Sequence, residues 1–162
     1  MLILNFNINK CNINFILSLQ YNIRMDLKQK LYHAGVASAV FLVVSLPQLY
    51  SKSNSLVSES GNCPTYKSRL LHMILFYALS VLVMKFVLKS DKDFRTLSGY
   101  ATHGALLFFL LSSPEAYKLT NGLVDGLSED GCPTLKGLGV HTVLYLVALV
   151  GLMSMSKDSK EE

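Results

Sequence analysis

The chain has no tryptophan, 4 prolines and 3 cysteines in 162 residues, and charged side chains make up only 16% of it. With a net charge of just +4, it has neither a basic footprint for nucleic acid nor the charge-rich composition of a disordered segment. Three cysteines without a C-x-x-C spacing support neither a thiol oxidoreductase nor a zinc ribbon, and they are too few to staple a disulfide miniprotein. Gly-x-Ser-x-Gly, His-Glu-x-x-His and a phosphate-cradling glycine-rich loop are all absent, which removes the usual hydrolase and nucleotide-binding signatures. What the chain does have is apolar surface. Its apolar fraction is 51% and its mean hydropathy +0.36, more than an ordinary soluble domain carries, and this directs the reading to a membrane.

Four stretches are long and apolar enough to cross about 30 Å of hydrocarbon at about 1.5 Å per residue: Leu31 to Tyr50, Leu70 to Leu88, Leu97 to Pro114 and Leu138 to Met155. The polar segments between them cannot lie in lipid, where their backbone groups would go unsatisfied. The expected fold is therefore all-α: a polytopic membrane protein with four transmembrane helices. All 11 acidic side chains fall outside these spans, and the mid-span turns hold Leu, Val, Phe and Ala with Ser80. Neither an intramembrane carboxylate pair nor the ionisable group of a transporter is present, so no enzyme, cofactor or small-molecule substrate is expected.

Lys and Arg gather on cytoplasmic loops. The N-terminal segment, the 85–95 loop (Lys85, Lys89, Lys92, Arg95) and the C-tail hold 10 of them, against 5 in segments 51–69 and 115–137. Both termini should therefore share the cytoplasmic side, with Lys85 snorkelling to the head groups from the last turn of its span. Residues 1–24, with six Asn in the first 22, match no signal peptide. Met25, beside Asp26 and Lys28, offers a natural start. The first 24 residues are then either a dispensable extension or an arm that pairs with a neighbour, and residues 156–162 form a charged tail.

The chain repeats itself. A shift of 67 superposes Phe41, Ser45, Pro47, Tyr50, Asn54, Leu56 and Val57 on Phe108, Ser112, Pro114, Tyr117, Asn121, Leu123 and Val124. After two inserted residues, a shift of 69 superposes Cys63-Pro64-Thr65, Lys67, His72, Leu75 and Met84 on Cys132-Pro133-Thr134, Lys136, His141, Leu144 and Met153. The transmembrane domain, residues 25–155, is thus two copies of one helical hairpin, 31–88 and 97–155. Because each copy crosses twice, they should be related by an axis along the membrane normal.

Within the repeat, Pro47 and Pro114 read as helix exits, with Tyr50 and Tyr117 as interfacial anchors. Thr65 and Thr134 follow Pro64 and Pro133 as N-caps of the second helix of each hairpin. Leu119, Leu123 and Leu127 suggest an amphipathic turn lying on the membrane surface. Small residues at four-residue spacing (Ala34/Ser38, Gly35/Ala39, Ala101/Ala105) predict that the first and third spans pack centrally.

Cys63 and Cys132 occupy equivalent positions on the side opposite the termini. A disulfide between them would stabilise by about 4 kcal/mol in the chain-entropy model; the alternative is two free thiols inherited from duplication. The histidines fall one per span, with His33 and His103 near one face and His72 and His141 near the other. That is the placement of two bis-histidine haems, so a small b-type haem-binding electron-transfer protein is the alternative function, although interfacial imidazoles and the duplication explain the same pattern.

Residues Phe41 to Tyr50, Phe108 to Val124, Cys132-Pro133-Thr134-Leu135-Lys136-Gly137 and His141 resemble small four-span membrane proteins of large nucleocytoplasmic DNA viruses. Those proteins combine a Ser-Pro-x-x-Tyr-Lys-x-Thr-Asn helix exit with Pro-Thr-x-x-Gly before an apolar span carrying His. The resemblance covers residues 31–155; the first 24 residues, and Arg69 where the second copy has Leu138, lie outside it. It implies a minor capsid or membrane protein of the virion, in the internal membrane and, during assembly, in membrane derived from the host endoplasmic reticulum. The implied partners are lipid and major or other minor capsid proteins, met by the basic loop Lys85, Lys89, Lys92 and Arg95, with no nucleic acid and no metal or other cofactor.

Overall fold

A computed structural model describes residues 27–57 and 63–158, with side chains through Ser154. The Asn-rich segment 1–24, Cys11 and the end of the charged tail lie outside the described residues. Among those residues there are six helices: α1 (Leu27–Val44), α2 (Pro47–Leu56), α3 (Tyr66–Leu82), α4 (Phe94–Leu111), α5 (Pro114–Asn121) and α6 (Leu135–Asp158). Two short strands, β1 (Ser128–Glu129) and β2 (Cys132–Pro133), pair antiparallel just before α6.

Prolines decide where the long helices break. Pro47 and Pro114 do not close the first and third spans, as the sequence suggested; each opens a new helix at its first turn. The residues before them are driven into extended backbone, Leu46 at ψ 135° and Ser113 at ψ 144°, because a proline ring crowds the α conformation of its predecessor. The missing proline N–H is harmless at a helix start. α2 consequently turns 56° away from α1. The expected spans 31–50 and 97–114 are therefore each two helices, and the segments beyond them hold α2 and α5 instead of plain loops.

Local chemistry fixes the other ends. Thr65 and Ser68 form a reciprocal capping box at the start of α3, and Asp93 caps α4 through the N–H of Thr96. α3 runs on through a π-helical turn, Val83–Val87. Lys89 then adopts a left-handed conformation that lets the Ser90 N–H reach Met84 O, which reverses the chain into the basic loop. The β1–β2 turn is made by Asp130 and Gly131, both at positive φ, as a two-residue hairpin prefers.

Each long helix buries one stripe: Ala34, Ser38, Phe41 and Val44 on α1, Leu138, His141, Tyr145 and Leu149 on α6. Of the small-residue pairs, Ala34/Ser38 and Ala101/Ala105 are buried, whereas Ala39 is exposed. At the centre four rings alternate around the repeat axis. Phe41 meets Phe108 edge-on and Phe76 meets Tyr145 edge-on, while Phe41 stacks on Tyr145 and Phe76 stacks on Phe108. Tyr145 is the counterpart of Phe76, and its extra hydroxyl donates to Gly104 O at 3.3 Å, where the absent Cβ leaves room.

The outer faces remain apolar, with Ile74, Leu82, Leu106, Leu110, Val143 and Val147 exposed. A surface of that kind is suited to lipid. Two helices are long and apolar enough to cross a membrane, Tyr66–Val87 and Leu135–Ser154, and α1 with α2 makes a third if that bent pair is one span. α4, diluted by Arg95, Ser98, Thr102 and His103, does not reach the same measure. The protein is thus helical and suited to membrane association, with two to three candidate spans.

Candidate functional site: paired clamps at one end of the bundle

The residues with chemical capacity gather where α1 gives way to α2 and α4 to α5. When a helix stops at a proline, the carbonyls of its last turn lose their partners. A histidine from the next long helix takes one of them in each copy. His72 Nδ1 donates to Val44 O at 2.8 Å, and His141 Nδ1 donates to Leu111 O at 2.7 Å. Since a carbonyl only accepts, the proton is on Nδ1, leaving Nε2 to accept from a hydroxyl: Ser53 Oγ at 2.8 Å in the first copy and Thr120 Oγ1 at 2.8 Å in the second. Each imidazole face is covered by a tyrosine, Tyr50 at 4.0 Å from His72 and Tyr117 at 3.8 Å from His141, both stacked. One histidine therefore ties three helices together: the helix it sits on, the end of the one before, and the short helix between.

The same end carries the loop anchors. Asn54, fully buried, donates to Cys63 O at 2.8 Å; its counterpart Asn121 accepts from the N–H groups of Leu127 and Ser128 at 2.8 and 3.0 Å. Thr134 caps α6 by accepting from Gly137 N at 3.1 Å. Cys63 and Cys132 are joined by a disulfide with their Cα atoms 4.9 Å apart. Equivalent residues of two copies can meet each other only beside the axis that relates them, so this bond marks the repeat axis and locks the two clamps side by side.

Several sequence-level assignments need correction here. Tyr50 and Tyr117 are not interfacial anchors: each is about 1% exposed and packed on a histidine. The three-leucine turn is not one face, because Leu119 and Leu123 are exposed while Leu127 is buried. His72 and His141 are interior, and both nitrogens of each are engaged, which leaves neither available to an iron without breaking a bond. His33 and His103 lie on the exposed faces of α1 and α4, where His103 Nδ1 donates to Gly99 O within its own helix. Among the described residues no group of three or more His, Cys, Asp or Glu is arranged to hold a metal.

The basic loop lies at the other end of α3. Lys85, Lys89, Lys92 and Arg95 are all exposed, and Lys92 Nζ sits 4.7 Å over the Tyr100 ring and donates to its hydroxyl at 3.0 Å. At that end Lys30 Nζ donates to Ser154 Oγ at 3.4 Å, joining the start of α1 to the end of α6.

The sequence comparison overlooked Ser53/Thr120 and Phe76/Tyr145, because each pair is a conservative exchange instead of an identity. Aligning residue classes at the same two shifts would have found both. No protein-family model matches the chain, and no curated protein and no solved structure matches it either.

Proposed function

We propose that this chain is a structural membrane protein and not an enzyme: two clasped hairpins making four crossings, with α1–α2 and α4–α5 as broken spans. The observation that carries this reading is the double clamp. Both buried histidines, the bonded cysteines and the loop asparagines are spent on holding helices to one another, in duplicate. A catalytic group must keep a reactive atom free for its substrate, whereas a scaffold consumes its polar groups in fixing shape. α4, too polar to qualify alone, packs against its neighbours through Leu97, Ala101, Ala105 and Phe108, which suits a span shielded by the bundle.

The finer assignment is to the virion of a large nucleocytoplasmic DNA virus, in its internal membrane and attached to the capsid. It rests on the sequence resemblance, and the exposed Lys85, Lys89, Lys92 and Arg95 supply a fitting face for an acidic capsid partner. The test is quantitative proteomics of purified particles after detergent extraction, with a variant carrying Lys85, Lys89 and Lys92 changed to Glu. The wild-type chain should remain with the particle and cross-link to capsid protein through the loop, more weakly as salt rises. The variant should reach the membrane and lose the cross-link. Absence of the chain from particles, or an unaffected cross-link, would end the capsid-linking assignment.

A further inference from the structure

The basic loop borders a cavity that the clamps do not explain. α3 ends in the π-helical turn Val83–Val87, closed by the Leu88 N–H on Val83 O at 2.9 Å, a rare kind of turn that is frequent where a helix contributes to a site. Between that turn and the start of α4 lies an open-sided cavity of about 250 Å³. Val81 and the buried Leu97 give it an apolar side, and its charged side holds Lys85, Asp91, Lys92 and Asp93. Two of these four are already engaged. Lys92 Nζ is drawn onto Tyr100, and both carboxylate oxygens of Asp93 accept from Thr96. Lys85 and Asp91 are different: among the described residues neither has a hydrogen-bond or ion-pair partner, and although they line one cavity they do not pair with each other.

Opposite charges held apart on one cavity fit a ligand that carries both, each end meeting its counter-charge. The surroundings say where such a ligand comes from. Lys85 lies in the last turn of the candidate span Tyr66–Val87, which puts the cavity at head-group depth. Leu82, Phe86 and Val87 at this end of α3, and Phe94 in the cavity wall, are 50–72% exposed, an apolar rim suited to acyl chains and not to water. We infer that this cavity binds the head group of phosphatidylethanolamine from the bilayer, with Lys85 on the phosphate and Asp91 on the primary ammonium. A trimethylated ammonium has no N–H to donate to Asp91, and a head group without a cation would bring its phosphate against the carboxylates uncompensated. Lys89 and Arg95 do not line the cavity and stay available to a protein partner. The inference rests on the reading of the chain as a membrane protein, though not on its place in a virion.

The test reconstitutes the full-length, disulfide-intact protein into nanodiscs of phosphatidylethanolamine, phosphatidylcholine and phosphatidylglycerol in equal amounts, and native mass spectrometry counts the lipids that stay bound. Phosphatidylethanolamine should be retained about tenfold over either competitor, the discrimination that one charge-assisted hydrogen bond supplies. Lys85 and Asp91 are both exposed, so neutral variants keep the fold. Asp91→Asn should erase the preference over phosphatidylcholine, and Lys85→Gln should lower retention of all three lipids. Equal retention of the three by the wild type, enrichment of phosphatidylglycerol above phosphatidylethanolamine, or variants that keep the wild-type preference would each overturn the site. A chain that enters the discs without that preference refutes the site alone; one that enters no disc of any composition refutes the membrane reading, and the site falls with it.

Discussion

The carbonyl oxygen of Leu127 stands where a Cβ on residue 137 would have to sit, and Gly137 is what permits the approach. That closeness lets Thr134 fasten the β1–β2 hairpin to the start of α6, its N–H donating to Leu127 O at 3.2 Å and its hydroxyl to the same atom at 3.1 Å. The obstacle is backbone, so no rotamer change relieves it. Gly137→Ala should destabilise the protein by about 2–4 kcal/mol. Gly139→Ala, where an added methyl meets nothing within 4 Å, should be neutral or stabilise by up to about 1 kcal/mol through helix propensity. Denaturant unfolding in micelles compares the two, and equal effects would refute the close approach.

The disulfide should be a principal fastening of this end. Cys63 and Cys132 are 69 residues apart, and opening a loop of that length frees about 4 kcal/mol of chain entropy in the unfolded state. Peptide mapping without reductant should recover the two peptides linked. Changing both cysteines to Ser should lower the melting temperature by a clear margin. An unchanged melting temperature would mean that the clamps alone hold the two copies together.

The helices and their duplication were legible in the sequence because both leave periodic signals. Apolar length located α3 and α6, and the shifts of 67 and 69 aligned Phe41 with Phe108 and Cys63 with Cys132, which meet in the structure, while the similarly close Phe76 and Tyr145 escaped because they are not identical. The breaks at Leu46 and Ser113 were misplaced, since hydropathy runs smoothly through Pro47 and Pro114 while the backbone cannot. Tyr50 and Tyr117 were assigned to the membrane interface because an amphipathic ring suits that depth; only their stacking on His72 and His141, from a distant helix, puts them inside. Gly137 gave no signal at all, because the need for glycine arises from Leu127, which pattern reading placed on the surface.

Because each histidine bridges three helices, its loss should be felt. His72→Gln gives up the Tyr50 stack and cannot reproduce both bonds, and it should cost about 2–3 kcal/mol. Pairing it with Ser53→Ala in a double-mutant cycle should reveal a coupling of about 1 kcal/mol, with the same sign for His141→Gln and Thr120→Ala. Interfacial imidazoles would tolerate Gln with almost no change. Additive effects in both cycles would contradict the clamp.

The claim that matters most is that two clasped hairpins carry the clamps on one membrane face and the basic loop on the other. Labelling with a membrane-impermeant thiol reagent in sealed vesicles tests it directly, using Lys92→Cys and Asp125→Cys separately in a Cys11→Ser background with the native disulfide retained. Position 92 should react only from the cytoplasmic face and position 125 only from the opposite face. Reaction of both from the same face would contradict the arrangement.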